Sequence, residues 1–158
     1  MSPTMITNHP ETKVLAVASG GGHWVQLLRL LPAFEGCDVA FATVDEGYRA
    51  QVPGHRFYTL NDATRWSTIG LLTVSLRLAW IILRERPQVV VSTGAAPGYF
   101  AVRLGHMLGA KTIWIDSMAN VDCLSLSGQK IRGYADLWLT QWAHLAVPEG
   151  PQYAGSVL

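Results

Sequence analysis

Charge is scarce in this sequence. Asp, Glu, Lys and Arg make up 15% of its 158 residues, against about 25% in ordinary soluble domains. Twelve basic and eleven acidic side chains nearly cancel. No Lys/Arg cluster stands out, so the footprint of a phosphate-backbone binder is missing and no nucleic-acid partner is expected. Cysteine is scarcer still. Cys37 and Cys123 lack metal-ligand spacing and lie in apolar stretches, which reads as two reduced core residues and excludes a disulfide framework or a zinc site. Met1 to Thr12 is polar, carries two prolines and holds no apolar run. It is expected to be a loose tail and not a signal peptide.

Apolar side chains, at 49%, and fifteen glycines are what the chain has in quantity. A composition this apolar buries a core, which excludes disorder for the bulk and fits one domain over residues 13–158. With so few charges, more surface is apolar than water alone favours. A partner or a membrane surface is expected to cover part of it.

Val14 to Ala18 is a short apolar run that ends in Ser19-Gly20-Gly21-Gly22-His23. Trp24, Val25, Leu27, Leu28 and Leu31 follow at helical spacing, so the order reads strand, glycine loop, helix. Val39–Val44 and Phe57–Leu60 are two further strands. Ile69–Arg86 is a long helical pattern stopped by Pro87, and Gln88–Val91 is a strand leading into Ser92-Thr93-Gly94-Ala95-Ala96-Pro97-Gly98. A helix from Gly98 to Leu108 stops at Gly109, and Lys111–Ile115 is a strand ending at Asp116-Ser117. A helix around Lys130–Tyr134 then leads into Leu137-Trp138-Leu139, after which Pro148, Gly150 and Pro151 break any pattern. Short continuous apolar strands alternating with helices predict an α/β fold with an open, doubly wound, mostly parallel sheet of Rossmann-like form.

Ligands of such sheets sit beyond the carboxyl ends of the strands, at helix N-termini. Two side-chain-poor loops fall there. Gly20, Gly21 and Gly22 bare the amides of a new helix to an anion, and Thr93, Gly94, Ala95 and Gly98 repeat the arrangement. Taken singly, each loop reads equally well as a tight strand-to-helix turn, with Pro97 at the first helical position. Together, at one edge of the sheet, they favour a diphosphate site more than either loop does alone. Their spacing is neither the dinucleotide fingerprint nor the G-x-x-x-x-G-K-[ST] phosphate loop, which counts against NAD and ATP and against an oxidoreductase. His23, next to the expected anion, is a candidate base or phosphate donor, or a capping residue. Asp116, at the same edge, either accepts a proton from a sugar hydroxyl or caps its own turn. His106 and His144 read as structural, and no metal site is expected.

Between Trp66 and Leu83 only Arg77 is charged. A mid-helix arginine costs about 2.5–3.5 kcal/mol on insertion scales, which argues against spanning a bilayer. Gly70, Thr73, Arg77 and Arg84 fall on one narrow stripe of the helical wheel and the remaining circumference is apolar. One side can face the sheet. The other is then a surface for a partner or a bilayer, with Arg77 and Arg84 toward anionic headgroups and Trp80 and Ile81 in the interface; the alternative is a fully buried core helix.

Ser19-Gly20-Gly21-Gly22-His23, Ser92-Thr93-Gly94, Asp116-Ser117, Gln141-Trp142 and Tyr153-Ala154-Gly155-Ser156, in that order, resemble the acceptor-side subunit of two-component GT-B glycosyltransferases. These are the capsule and exopolysaccharide proteins related to the membrane subunit of the dolichol-diphosphate N-acetylglucosamine transferase and to the N-domain of the lipid II-forming transferase. The likeness runs from about Val14 to the C-terminus. It implies half of an inverting, UDP-sugar-dependent glycosyltransferase, weak or inactive alone. A polyprenyl-diphosphate-linked acceptor would bind at the glycine loops, with His23 or Asp116 as base, although relatives often carry Glu where Asp116 stands. The UDP-sugar is a co-substrate supplied mainly by a separate donor-binding C-terminal-half subunit. No tightly bound cofactor or metal is implied, and the expected location is the cytoplasmic face of the inner membrane, attached peripherally. The other open reading is a non-catalytic membrane adaptor that activates the donor-binding subunit.

Overall fold

The structure, a computed structural model, describes residues 11–61 and 67–157. The expected N-terminal tail, through residue 10, and Trp66 lie outside the described residues. Seven strands form one sheet: β1 (Lys13–Val17), β2 (Asp38–Thr43), β3 (Arg56–Thr59), β4 (Val89–Ser92), β5 (Lys111–Ile115), β6 (Leu137–Thr140) and β7 (Gln152–Tyr153). Their order is β3-β2-β1-β4-β5-β6-β7 and every pairing is parallel. The helices are α1 (Gly22–Arg29), α2 (Thr68–Glu85), α3 (Ala95–Met107) and α4 (Leu126–Lys130).

Alternate residues of β1 feed two cores, which is why its apolar run is continuous. Leu15 and Val17 pack with Val74, Leu78, Ile81 and Ile82 of α2 and Ala101 of α3. Val14 and Ala16 pack with Trp24 and Leu27 of α1 on the opposite face. The sheet is thus doubly wound, as its apolar strands predict. The chain leaves β1 toward β2 and β3, then returns to β4 on the other side of β1. That reversal opens a crevice between the β1 and β4 ends.

Several boundaries differ from the sequence expectation for local reasons. The helix expected from Gly98 begins at Ala95, so Pro97 sits inside the first turn, where its missing N–H has no intrahelical partner to lose. The helix expected around 130–134 lies at Leu126–Lys130, because the Ser125 hydroxyl accepts the Gly128 N–H at 2.8 Å and starts it early. α2 stops at Glu85, with Arg86 left-handed at φ 48° ahead of Pro87. β7 escaped the sequence reading because two residues between Pro151 and a glycine carry no period to detect. Cys37 packs at the core margin, but Cys123 is exposed, a correction to its reading as a core residue.

Candidate functional site

A cleft of about 700 Å³ opens at the carboxyl edge of the sheet. Ser19 and His23 line it from the β1 side, Ala95 to Pro97 from α3, and Ser117 to Lys130 segments from beyond β5. Val44, Leu71, Tyr99 and Phe100 make its apolar side.

His23 stands in the first turn of α1 and is tied to the other loop twice. Its Nδ1 lies 2.9 Å from the Thr93 carbonyl oxygen, and the Thr93 hydroxyl donates to the His23 carbonyl at 2.7 Å. A carbonyl oxygen only accepts, so the proton sits on Nδ1 and the neutral ring keeps its lone pair on Nε2. Gly94 permits this contact. A Cβ built there would lie 2.7 Å from His23 Cε1, and the φ of 130° suits glycine alone. The two loops therefore converge, as expected, but the missing side chain at Gly94 makes room for a histidine ring.

The remaining loop residues divide. Gly21, at φ 65°, gives its N–H to the Tyr48 hydroxyl at 3.0 Å, while Gly20 packs near Tyr48 and Gly22 opens α1 at the exposed surface. Thr93 is buried, and the Gly94 N–H donates to the Ser92 hydroxyl at 3.1 Å. Ala95 and Ala96, whose first-turn amides lack intrahelical partners, are among the residues lining the cleft. Gly98 does not belong with them. It is buried inside α3, and a Cβ there would come 1.9 Å from Ser92 Oγ, so its smallness serves helix-on-strand packing.

Asp116 is 1% exposed. Its Oδ1 accepts Trp114 Nε1 at 3.1 Å and the Ser125 hydroxyl at 2.6 Å; its Oδ2 accepts the Ser125 N–H at 2.9 Å and Asn120 Nδ2 at 3.4 Å. With four donors aimed at it, the carboxylate holds the loop from β5 to α4 and does not line the cleft. Burial and those four bonds set it behind the cleft, in the turn-capping arrangement that was the alternative to a base. Lys130 was missed by the sequence reading; among the described residues it is the one formally charged side chain on the cleft wall, flagged only by its place at the end of a short helix. His144 is exposed in a short 3₁₀ turn, its Nε2 2.6 Å from the Val121 carbonyl, and His106 meets Tyr134 edge-on.

α2 has two apolar faces. Val74, Leu78, Ile81 and Ile82 are buried, whereas Ile69, Leu72, Leu76, Trp80 and Leu83 are exposed. Arg77 and Arg84 both lie against the Trp80 ring, at 4.8 and 5.3 Å. Trp80, Arg77 and Arg84 thus share the outward stripe, but Ile81 does not: one residue further is about 100° round the helix, and it points into the core. Among the described residues no helix is long and apolar enough to cross a membrane, and no group of three or more His, Cys, Asp or Glu side chains could hold a metal ion.

Residues 55–157 match the family described as oligosaccharide biosynthesis protein Alg14 like. This chain belongs to that family. Curated relatives named UDP-N-acetylglucosamine transferase subunit ALG14 include those of Eremothecium gossypii, 27% identical over 87% of this chain and 75% of the relative, and Mus musculus, 25% identical over 92% and 82%. Among solved structures, MurG from Acinetobacter baumannii superposes with a TM-score of 0.74 over 93% of this chain, at 12% identity. A UDP-N-acetylglucosamine 2-epimerase from Rickettsia bellii gives 0.71 at 14% identity. The Alg14-like chain spans 46% of the MurG chain and 45% of the epimerase chain, a likeness of fold over less than half of each.

Proposed function

We propose that this Alg14-like chain is the acceptor-binding half of an inverting UDP-sugar glycosyltransferase in polysaccharide biosynthesis. The observation that carries the reading is the pinned His23, which lines the cleft and whose Nε2 meets no partner among the described residues. The Ala95 and Ala96 amides and the α3 dipole face a lipid-linked diphosphate. Val44, Leu71, Tyr99 and Phe100 receive the first part of its lipid. The outward stripe of α2 rests on the cytoplasmic surface of the membrane, with Arg77 and Arg84 among anionic headgroups.

The donor UDP-sugar sits mainly on a separate subunit, which closes over the cleft. The acceptor hydroxyl attacks the anomeric carbon while the bond from that carbon to the UDP oxygen breaks, and UDP leaves with the electron pair. His23 Nε2 takes the hydroxyl proton. One displacement inverts the anomeric centre. The names of the relatives support a UDP-sugar donor and a subunit role.

The test uses the purified complex of this chain with its donor-binding subunit, on a polyprenyl-diphosphate-linked sugar in vesicles. His23→Ala is expected to lower kcat about 10²- to 10⁴-fold, the weight of a general base, with assembly intact by gel filtration. Turnover unchanged in that variant, together with loss of activity on disrupting the α2 stripe, favours the adaptor reading instead.

A further inference from the structure

Ser117 carries a hydroxyl whose hydrogen-bonding roles are dictated by its neighbours. It follows Asp116 at the end of β5, is 6% exposed, and lines the cleft. Its Oγ accepts Gln26 Nε2 at 3.1 Å and the Ala119 N–H at 3.2 Å. A hydroxyl oxygen has two lone pairs, and both are taken.

The orientation of Gln26 is itself fixed. Its Oε1 accepts the Met118 N–H at 3.3 Å and Gln141 Nε2 at 2.6 Å, so Nε2 must be the atom facing Ser117. Gln141 is fixed in turn, because its Oε1 accepts the Val157 N–H at 2.9 Å and its Nε2 also donates to the Asp116 carbonyl at 3.0 Å. Flipping Gln26 would set its amino group against the Met118 N–H and Gln141 Nε2, and flipping Gln141 would set donor against donor at Val157 and acceptor against acceptor at Asp116. Gln26 and Gln141 are each 4% exposed, where such a mismatch costs most. The one role left to Ser117 is to donate its own hydrogen. Among the described residues it meets no acceptor for it.

We infer that the Ser117 O–H donates to a diphosphate oxygen of the bound acceptor, with Gln26 and Gln141 as positioning residues. The role presupposes that the cleft takes a lipid-linked diphosphate, as proposed above. Among the described residues the cleft wall is rich in donors and carries no carboxylate, and Asp116, next to Ser117 in the chain, has its oxygens occupied. A diphosphate diester offers acceptor oxygens alone, which complements that wall.

Binding of farnesyl diphosphate to the complex with the donor-binding subunit, measured by titration calorimetry, tests the assignment. Ser117→Ala is expected to weaken binding about tenfold, the weight of one hydrogen bond to a charged oxygen, and Ser117→Thr to restore most of it. Gln26→Met is expected to weaken binding alone but to add nothing in the Ser117→Ala background, and to speed hydrogen exchange at the Met118 amide. Wild-type affinity in Ser117→Ala overturns the assignment alone. Failure of the wild-type complex to bind farnesyl diphosphate overturns it together with the reading of the cleft. Additive losses for Gln26→Met and Ser117→Ala overturn the positioning role.

Discussion

Ring and glycine occupy one space at the meeting of the two loops. The sequence marks Gly94 as a place where something comes close, and the structure makes that something the His23 ring. Gly94→Ala is expected to be costly twice over, through a strained φ and through the ring. Strain of this kind is worth about 1–3 kcal/mol. In the His23→Ala background the ring is gone and only the strain remains. Urea unfolding of the four proteins should therefore give a smaller penalty for Gly94→Ala when His23 is absent; equal penalties would mean that the ring does not press on this position. The same pair shows the limit of sequence reading at this scale. Both residues stand out in the sequence as site residues, but the bond that seats the ring beside Gly94, from His23 Nδ1 to the Thr93 carbonyl 70 positions away, has no trace in local pattern.

At the scale of elements, α2 was legible in extent and opaque in rotation. Its length and its stop before Pro87 follow from the apolar run and the proline, but a helix with two apolar stripes gives no internal sign of which one meets the sheet. The packing decides: Val74, Leu78 and Ile81 go in, while Leu76, Trp80 and Leu83 stay out. The two faces must then respond differently to charge. Leu76→Glu with Leu83→Glu is expected to leave the unfolding midpoint nearly unchanged, as exposed substitutions do, and to abolish co-flotation with anionic vesicles. Ile81→Glu is expected to cost several kcal/mol by burying an unpaired carboxylate. If the double variant still floats with vesicles, another surface holds the membrane.

Over the whole molecule, the parallel doubly wound sheet was readable from strands that alternate with helices, and the site's edge followed from that topology. Asp116 stays open between base and turn cap in the sequence because an aspartate at a strand end looks the same whether it faces a cleft or four buried donors. The scarce charges also have a whole-molecule consequence, since several tie down outlying strands. Arg56 donates to Asp38 at 2.9 Å and to Glu85 at 2.9 Å, joining β3, β2 and the end of α2. Between β5 and the segment before β6, Asp136 accepts the Thr112 N–H at 2.9 Å. The hydrogen bond from Arg56 holds the Asp38 carboxyl below its usual range, and that from the Thr112 backbone does the same for Asp136. Both groups bind protons more readily when unfolded. The stability they lend is thus complete above the ordinary carboxylate value, about 3.9, and fades as pH falls through their lower folded values. Both are partly exposed, so each is worth at most about 1 kcal/mol. Asp136→Asn should accordingly be less stable than the natural chain at pH 7, with the gap closing in urea unfolding as pH falls below the ordinary carboxylate value. A gap that stays constant with pH would show that the Thr112 amide does not favour the charged carboxylate.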